Sequence, residues 1–158
     1  SENRIVSEKF SKGSIGNFVA KLRKDLFCDF QVVLGGLDSP NCAVLDARSE
    51  RRFKGLDPEP RPGVRSGHMP NAKNLPFPEV LNGGLLKSVS ELQEIFINLS
   101  LDHQDSIITS CGSGITACIL TLAADVAGFS KLSVYDGSWA EWGLPGKLPV
   151  VSDLTNNA

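Results

Sequence analysis

Short runs of apolar residues alternate along this chain with segments in which apolar residues recur every three or four positions. We predict a short buried strand at residues 43–46, a brief strand at 72–75 and two further strands at 107–110 and 132–135. Helical spacing predicts helices over residues 15–27, 88–98 and 117–127, and shorter helical turns near residue 51 and after residue 137. Strands that alternate with helices form a parallel sheet with helices on both faces. The pattern therefore predicts an α/β domain.

Capping residues and loop composition refine these limits. Ser88 and Glu91 have the spacing of a capping box, and Gly128 is placed to end the helix that begins near residue 117. Residues 35–41 contain glycine, proline and asparagine and are predicted to form a loop. Residues 47–71 are charged and rich in proline and glycine, which indicates a long surface loop of the kind that is usually functional.

One domain is expected between two polar ends. Residues 1–14 are interpreted as a linker or entry segment, residues 15–146 as the domain, and residues 147–158 as a C-terminal tail that we expect to be frayed. The chain has 158 residues, which is enough for one domain with a substantial core and too few for two.

Composition excludes several classes of function. The 16 Lys and Arg residues are nearly balanced by 18 Asp and Glu residues, which argues against binding to nucleic acid or to an anionic membrane surface. No apolar run is long enough to span a membrane, and no signal-peptide pattern is present. Four widely spaced cysteines suggest a reducing compartment, the cytoplasm or the mitochondrion. The absence of a C-x-x-C pair and the presence of only two histidines argue against a zinc site, and no cofactor is expected.

Cys111 is the strongest candidate for chemistry. It follows a predicted strand and precedes a Gly-Ser-Gly turn and a predicted helix, so it is expected in a loop at a helix N-terminus. Free backbone N–H groups and the helix dipole favour a thiolate there, which is the nucleophilic form of cysteine. The glycines allow the loop amides to point inward as an anion-binding nest. The other cysteines, Cys28, Cys42 and Cys118, are interpreted as core or neutral residues.

Three further segments together resemble the signature segments of rhodanese domains. They are Val-Leu-Asp-Ala-Arg at 44–48, Gly-His-Met-Pro-Asn-Ala-Lys-Asn-Leu-Pro at 67–76 and Tyr-Asp-Gly-Ser-Trp-Ala-Glu-Trp-Gly at 135–143. The resemblance covers roughly residues 15–146 and implies a rhodanese-like fold with a central parallel sheet of about five strands. The loop from Cys111 to Thr116 is similar to that of the 3-mercaptopyruvate branch of the family, since Gly112 and Ser113 stand where thiosulfate-using rhodaneses have basic residues.

The resemblance implies roles for individual residues. Arg52 and Arg61 match arginines that hold the substrate carboxylate in that branch, and a guanidinium fork suits a carboxylate. Ser113 and Thr116 are candidates to donate a hydrogen bond or pass a proton to the enolate of pyruvate, although capping alone also explains hydroxyl residues at these positions. The amides of the loop, at Gly112, Gly114 and Ile115 among others, are expected to bind the persulfide that forms on Cys111.

Structural roles are expected for several conspicuous residues. Arg48 is expected to pair with Glu50 or Asp136, and Asp46 to bond local backbone. His68 is interpreted as structural, and Trp139 and Trp142 as packing residues near the site.

The resemblance leaves competing functions. The first is a sulfurtransferase that moves the sulfur of 3-mercaptopyruvate through a Cys111 persulfide to cyanide or to an acceptor thiol, plausibly thioredoxin. The second is a thiosulfate sulfurtransferase, which the neutral loop disfavours. The third is a sulfur-carrier or binding module with little turnover, because family members usually have two rhodanese domains and this chain resembles only the second. A cysteine phosphatase is excluded, because Ala117 stands where the phosphate-binding arginine is required.

Overall fold

The protein is described by a computed structural model that covers Gly13 and residues 15–153. Its five-stranded sheet contains β1 (Phe27–Cys28), β2 (Cys42–Asp46), β3 (Lys73–Asn74), β6 (Ser106–Ser110) and β7 (Leu132–Tyr135). The strands lie in the order β1-β7-β6-β2-β3, and every neighbouring pair is parallel. The short hairpin of β4 (Leu81–Asn82) and β5 (Leu85–Leu86) forms a separate antiparallel pair. The predicted parallel sheet is therefore confirmed.

Helices cover both faces of this sheet. The helices are α1 (Phe30–Gly36), α2 (Glu50–Phe53), α3 (Val89–Asn98), α4 (Ala117–Ala127) and α5 (Ser138–Trp142), and 3-10 turns occur at Lys24–Leu26 and Phe77–Val80. Alternate residues of a strand point to opposite faces. Accordingly Leu45 and Ile107 belong to the core cluster that includes α3 and α4, whereas Val44 and Ile108 belong to the cluster that includes α1 and α5.

The helix limits that rested on capping signals are confirmed. Ser88 caps α3 with the full capping box, in which its hydroxyl accepts from the Glu91 amide and the Glu91 side chain accepts from the Ser88 amide. Gly128 ends α4 in the left-handed conformation with φ 103°. The helical turn near residue 51 is α2, and the turn after residue 137 is α5. Among the residues that the structure describes, no helix is long and apolar enough to cross a membrane.

The predicted amphipathic helix over residues 15–27 is wrong. In that range the structure has the 3-10 turn Lys24–Leu26 and Phe27, the first residue of β1. A short amphipathic helix is stabilised mainly by burial of its apolar face. Here the apolar positions of the pattern are strongly exposed, including Ile15, Phe18, Val19 and Leu22, so this stabilisation is missing.

Helix α1 occupies part of the predicted loop at residues 35–41. Asp29 caps it by accepting hydrogen bonds from the amides of Gln31 and Val32, and Val33 is fully buried. A Cβ at Gly36 would lie 2.8 Å from the Cys42 Sγ, so close packing on β2 requires this glycine. Tertiary packing thus explains a glycine that had indicated a loop.

The segment after Gly146 is attached to the domain as far as residue 153. Leu148 and Val150 pack against the core cluster of α1 and α5. His68 and Val151 exchange two backbone hydrogen bonds of 2.8 and 2.9 Å. The expectation of a frayed tail is therefore wrong for residues 147–153, while the boundary of the domain at residue 146 stays a prediction. Residues 154–158, and the linker 1–14 apart from Gly13, lie outside the described residues.

Candidate active site

The candidate site lies at the carboxyl end of β6, where that strand passes through a six-residue loop, 111–116, into α4. Asp46 of β2 is in register with Ser110 of β6, so the segments that follow both strands meet at one edge of the sheet. Ligands of open parallel sheets bind at this edge. Cys111 thus occupies the position that the strand–turn–helix pattern predicts.

The segment after β7 holds the loop in place. The amides of Trp139 and Ala140 donate to the carbonyls of Cys111 and Gly112, both at 2.9 Å. The Ser138 hydroxyl accepts from the Cys111 amide at 3.2 Å and donates to the Tyr135 carbonyl at 2.8 Å. Three hydrogen bonds therefore tie the first two residues of the loop to the start of α5, and the bond to Tyr135 fixes the Ser138 hydroxyl.

Gly114 allows the loop to curl against this segment. Its φ of 84° is a left-handed value that favours glycine, and a Cβ there would lie 3.0 Å from the Asp136 carbonyl oxygen. The predicted need for glycine at this position thus has a geometric cause.

The Cys111 thiol is buried, with 2% of the residue exposed. Burial by itself raises the pKa of the Cys111 thiol, because it penalises the charged form. Hydrogen bonds from the Thr116 hydroxyl and from the backbone amides of Ser113, Thr116 and Ala117 outweigh burial and lower this pKa below its ordinary value. The loop therefore stabilises a thiolate in a sheltered position.

A small cavity lies beside this loop. Its volume is about 200 Å³, and its lining includes Arg52, Arg61, Gly112 and Ser113. The Arg52 Nη2 lies 3.2 Å from the position that a Cβ of Gly112 would take, so the guanidinium is in contact with the loop. Arg61 is exposed. Two arginines thus line the cavity beside the loop, and one of them, Arg52, contacts the residue that follows Cys111.

The other three predicted site residues, Gly114, Ile115 and Thr116, lie in the Cys111 loop and do not line this cavity. Thr116 bonds the thiol through its hydroxyl. Gly114 is buried against Asp136, and Ile115 is 75% exposed. The structure therefore gathers all eight predicted residues in one loop and its adjacent cavity, and the catalytic and binding roles assigned to them stay predictions.

Glu59 is a polar residue of the site that the sequence did not indicate. Its carboxylate accepts from Arg48 Nη1 at 2.9 Å and from Arg52 Nε and Nη2 at 3.2 and 2.6 Å. Its side chain is only 4% exposed. Sequence spacing does not predict that Glu59 binds these arginines. The contacts depend on the conformation of an irregular loop, which no periodic pattern in the sequence specifies.

Arg48 pairs with Asp46 and Glu59, which corrects the expectation of Glu50 or Asp136. Its guanidinium makes a 2.6 Å ion pair with Asp46 and lies 4.2 Å from the centre of the Trp139 ring. The side chain is 1% exposed and therefore needs carboxylates that are buried too. Glu50 is a surface residue that pairs with Lys54 instead.

The remaining expectations concern packing. His68 stacks on Phe53 and its Nδ1 lies 2.8 Å from the Phe53 carbonyl oxygen, which supports a structural role. Trp139 and Trp142 are fully buried, as predicted.

All four cysteines are free thiols. Cys28 and Cys42 are partly buried, but Cys118 is exposed, so of the two predicted alternatives, core or neutral, exposure excludes only a core position for Cys118.

A larger groove of about 760 Å³ lies elsewhere, against the outer face of α4. Its lining includes Phe27, Cys118, Leu122 and Val134. The lining of this groove includes no residue of the Cys111 loop and neither Arg52 nor Arg61. The smaller cavity, which adjoins the low-pKa thiol, is therefore the candidate active site.

Comparison with known proteins gives consistent similarities. Residues 29–144 match the profile of the rhodanese-like domain. The chain is 39% identical over 142 residues to 3-mercaptopyruvate sulfurtransferase of Mus musculus, covering 89% of this chain and 48% of that protein. It is 38% identical to thiosulfate/3-mercaptopyruvate sulfurtransferase 1, mitochondrial, of Arabidopsis thaliana, covering 85% of this chain and 36% of that protein. The chain thus spans about half or less of these relatives.

A solved structure agrees with these similarities. The crystal structure of SseA from Escherichia coli, described as a 3-mercaptopyruvate sulfotransferase with the rhodanese fold, superposes with a TM-score of 0.66. The sequence identity is 32%, and the match covers 82% of this chain and 49% of that one.

Proposed function

Because the chain belongs to the rhodanese-like domain family, we propose that it is a sulfurtransferase that takes sulfur from 3-mercaptopyruvate onto Cys111. The observation that supports this most is the joint presence of a buried, low-pKa Cys111 and the Arg52–Arg61 cavity beside it. The thiolate is a nucleophile, and the arginines suit the carboxylate of an α-keto acid.

The first half-reaction forms a persulfide. The Cys111 thiolate attacks the sulfur of 3-mercaptopyruvate, and the bond between that sulfur and carbon 3 breaks. The electron pair of the broken bond stays on carbon 3 as the enolate of pyruvate. The proton of the donor thiol moves to carbon 3, so the products are pyruvate and the Cys111 persulfide anion. The hydroxyls of Ser113 and Thr116 are the proposed groups for this proton transfer.

The second half-reaction returns the thiolate. An acceptor thiolate or cyanide attacks the outer sulfur of the persulfide, the sulfur–sulfur bond breaks, and its electron pair returns to Cys111. The amides of Gly112, Gly114 and Ile115 are the proposed donors to the diffuse negative charge of the persulfide.

The partners of the reaction are part of the same proposal. A thioredoxin-like dithiol is the proposed acceptor. A second rhodanese domain is the proposed source of further proton-transfer groups, which would contact Ser113 because that residue is exposed. The name of the Arabidopsis relative supports a location in the mitochondrion, and the cytoplasm is the alternative.

The experiment is to measure pyruvate release from 3-mercaptopyruvate and sulfite release from thiosulfate, with cyanide as acceptor. We expect preference for 3-mercaptopyruvate in the wild type and no release in Cys111→Ser. Preference for thiosulfate would favour the second candidate. Release of pyruvate that persists in Cys111→Ser would contradict the proposed nucleophile, and uptake of one labile sulfur without turnover would favour the carrier module.

A further inference from the structure

We propose that Glu59 is a positioning residue that fixes Arg52 for a carboxylate and offsets its charge, so that the cavity selects a monoanionic α-keto acid over dianionic thiosulfate. The inference rests on the proposed function of the cavity and adds to it the group that sets donor specificity.

The geometry of Arg52 shows how Glu59 orients it. A guanidinium has two edges that can each hold a carboxylate with two hydrogen bonds. Glu59 occupies the edge formed by Nε and Nη2, at 3.2 and 2.6 Å. The other edge, formed by Nη1 and Nη2, faces the loop, since these nitrogens lie 3.8 and 3.2 Å from the Cβ position of Gly112. Arg52 therefore presents its second edge to a ligand next to Cys111.

Glu59 is itself held in place by a second arginine, Arg48. Arg48 Nη1 donates to it at 2.9 Å, and Arg48 is fixed by Asp46, by the Gly67 carbonyl at 2.8 Å and by contact with the Trp139 ring. A carboxylate that is 4% exposed and held by two guanidinium groups has little freedom to turn away. The orientation of Arg52 is thus determined by buried contacts rather than by solvent.

The same contacts set the charge that a ligand meets. Asp46, Arg48, Glu59 and Arg52 form an alternating series of two negative and two positive charges. Arg61, the second cation of the cavity, takes no part in this series. The side chains that line the cavity, which do not include the Cys111 thiolate, therefore offer about one net positive charge, which suits one carboxylate. Removal of the Glu59 charge would add a second, which suits a dianion.

Equilibrium binding to the Cys111→Ser protein tests this without turnover. The probes are pyruvate, a monoanionic α-keto acid, and thiosulfate, measured separately by isothermal titration calorimetry. We expect Glu59→Gln to raise the Kd for pyruvate about tenfold, the loss typical of one charge-assisted hydrogen bond. The Kd for thiosulfate should stay the same or fall. Equal changes for both ligands, or no change, would overturn the inference.

Two further variants separate orientation from charge. Glu59→Asp keeps the charge but shortens the side chain, so we expect weaker pyruvate binding without tighter thiosulfate binding. It also provides a test if Glu59→Gln does not fold, as checked by circular dichroism. Asp57→Asn is the matched control, because Asp57 lies in the same loop and pairs with Arg51 at the surface, and it should change neither Kd.

A double-mutant cycle establishes whether Glu59 acts through Arg52. In an Arg52→Ala background, Glu59→Gln should no longer weaken the binding of pyruvate, whereas independent effects would add. Additive effects would overturn the positioning role. A Cys111→Ser protein that binds neither probe would instead contradict the proposed function itself, so the two failures are distinguishable.

Discussion

Thr116 is the residue whose hydroxyl does most to stabilise the thiolate of Cys111. Its bond to the sulfur is the largest of the interactions that lower the pKa of the Cys111 thiol against the opposing effect of burial. Thr116→Val keeps the side-chain shape and removes the hydroxyl, so the pKa of Cys111 should rise. Alkylation by iodoacetamide, followed on the Cys111 peptide by mass spectrometry from about pH 5 to about pH 10, should then show a higher midpoint and a slower rate at neutral pH.

Two other cysteines serve as internal controls for that experiment. Burial raises the pKa of the Cys28 and Cys42 thiols, so both should react at higher pH than Cys111 in either protein. Their profiles should not move in Thr116→Val. An unchanged Cys111 midpoint in the variant would show that the hydroxyl does not stabilise the thiolate.

The strand–loop–helix unit of β6 and α4 depends on the conformation of one glycine. Gly114 has a φ of 84° and packs against Asp136, whereas Gly84 has nearly the same φ, 83°, with open space around its Cβ position. Alanine in a left-handed conformation costs about 1–2 kcal/mol. Gly84→Ala should lose that amount in urea unfolding, and Gly114→Ala should lose more, because its Cβ must also displace Asp136.

Comparison of Gly114→Ala with Gly84→Ala also separates the effect of backbone strain on stability from the effect of the loop on Cys111. Gly114→Ala should slow the alkylation of Cys111 near neutral pH, because the loop amides that stabilise the thiolate would shift. Gly84→Ala lies in the β4–β5 hairpin and should leave that rate unchanged. Equal unfolding energies and equal alkylation rates for the two variants would contradict the role of the Gly114 contact.

Elements with local signals were predictable, and those that depend on distant partners were not. The Ser88 capping box and Gly128 act within one or two turns, so the limits of α3 and α4 follow from sequence. Helix α1 was missed because the packing of Gly36 on Cys42 is a tertiary contact. The pattern at residues 15–27 was misleading. Helical spacing indicates which face of a helix is apolar, but it does not show that another element of the protein covers that face.

The residues of the candidate site also divide into those that the sequence indicates and those that depend on contacts between distant segments. Cys111, Arg52 and Arg61 were identified from residue type and family resemblance, and the structure brings them together. Glu59 was missed because its bond to Arg48 spans eleven residues of an irregular loop, and no periodicity relates two such positions.

Arg48 connects distant parts of the whole molecule. It binds Asp46 at the end of β2, Glu59 in the long loop and the Gly67 carbonyl, and it packs on Trp139 of α5. Removal of one partner from a buried ion pair leaves the other charge uncompensated and typically costs about 3–5 kcal/mol. Arg48→Met should therefore lower the free energy of unfolding by about that amount, measured by urea denaturation.

Arg51→Met is the matched control, because it makes the same change three positions along the chain. Arg51 also pairs with an aspartate, but the side chains of Arg51 and Asp57 are 66% and 39% exposed. Water can solvate Asp57 once its partner is lost, so the urea midpoint should barely move. Similar losses in the two variants would mean that Arg48 contributes no more than a surface pair. A large loss in Arg48→Met alone would show that the charges which orient Arg52 also hold β2, the long loop and α5 together.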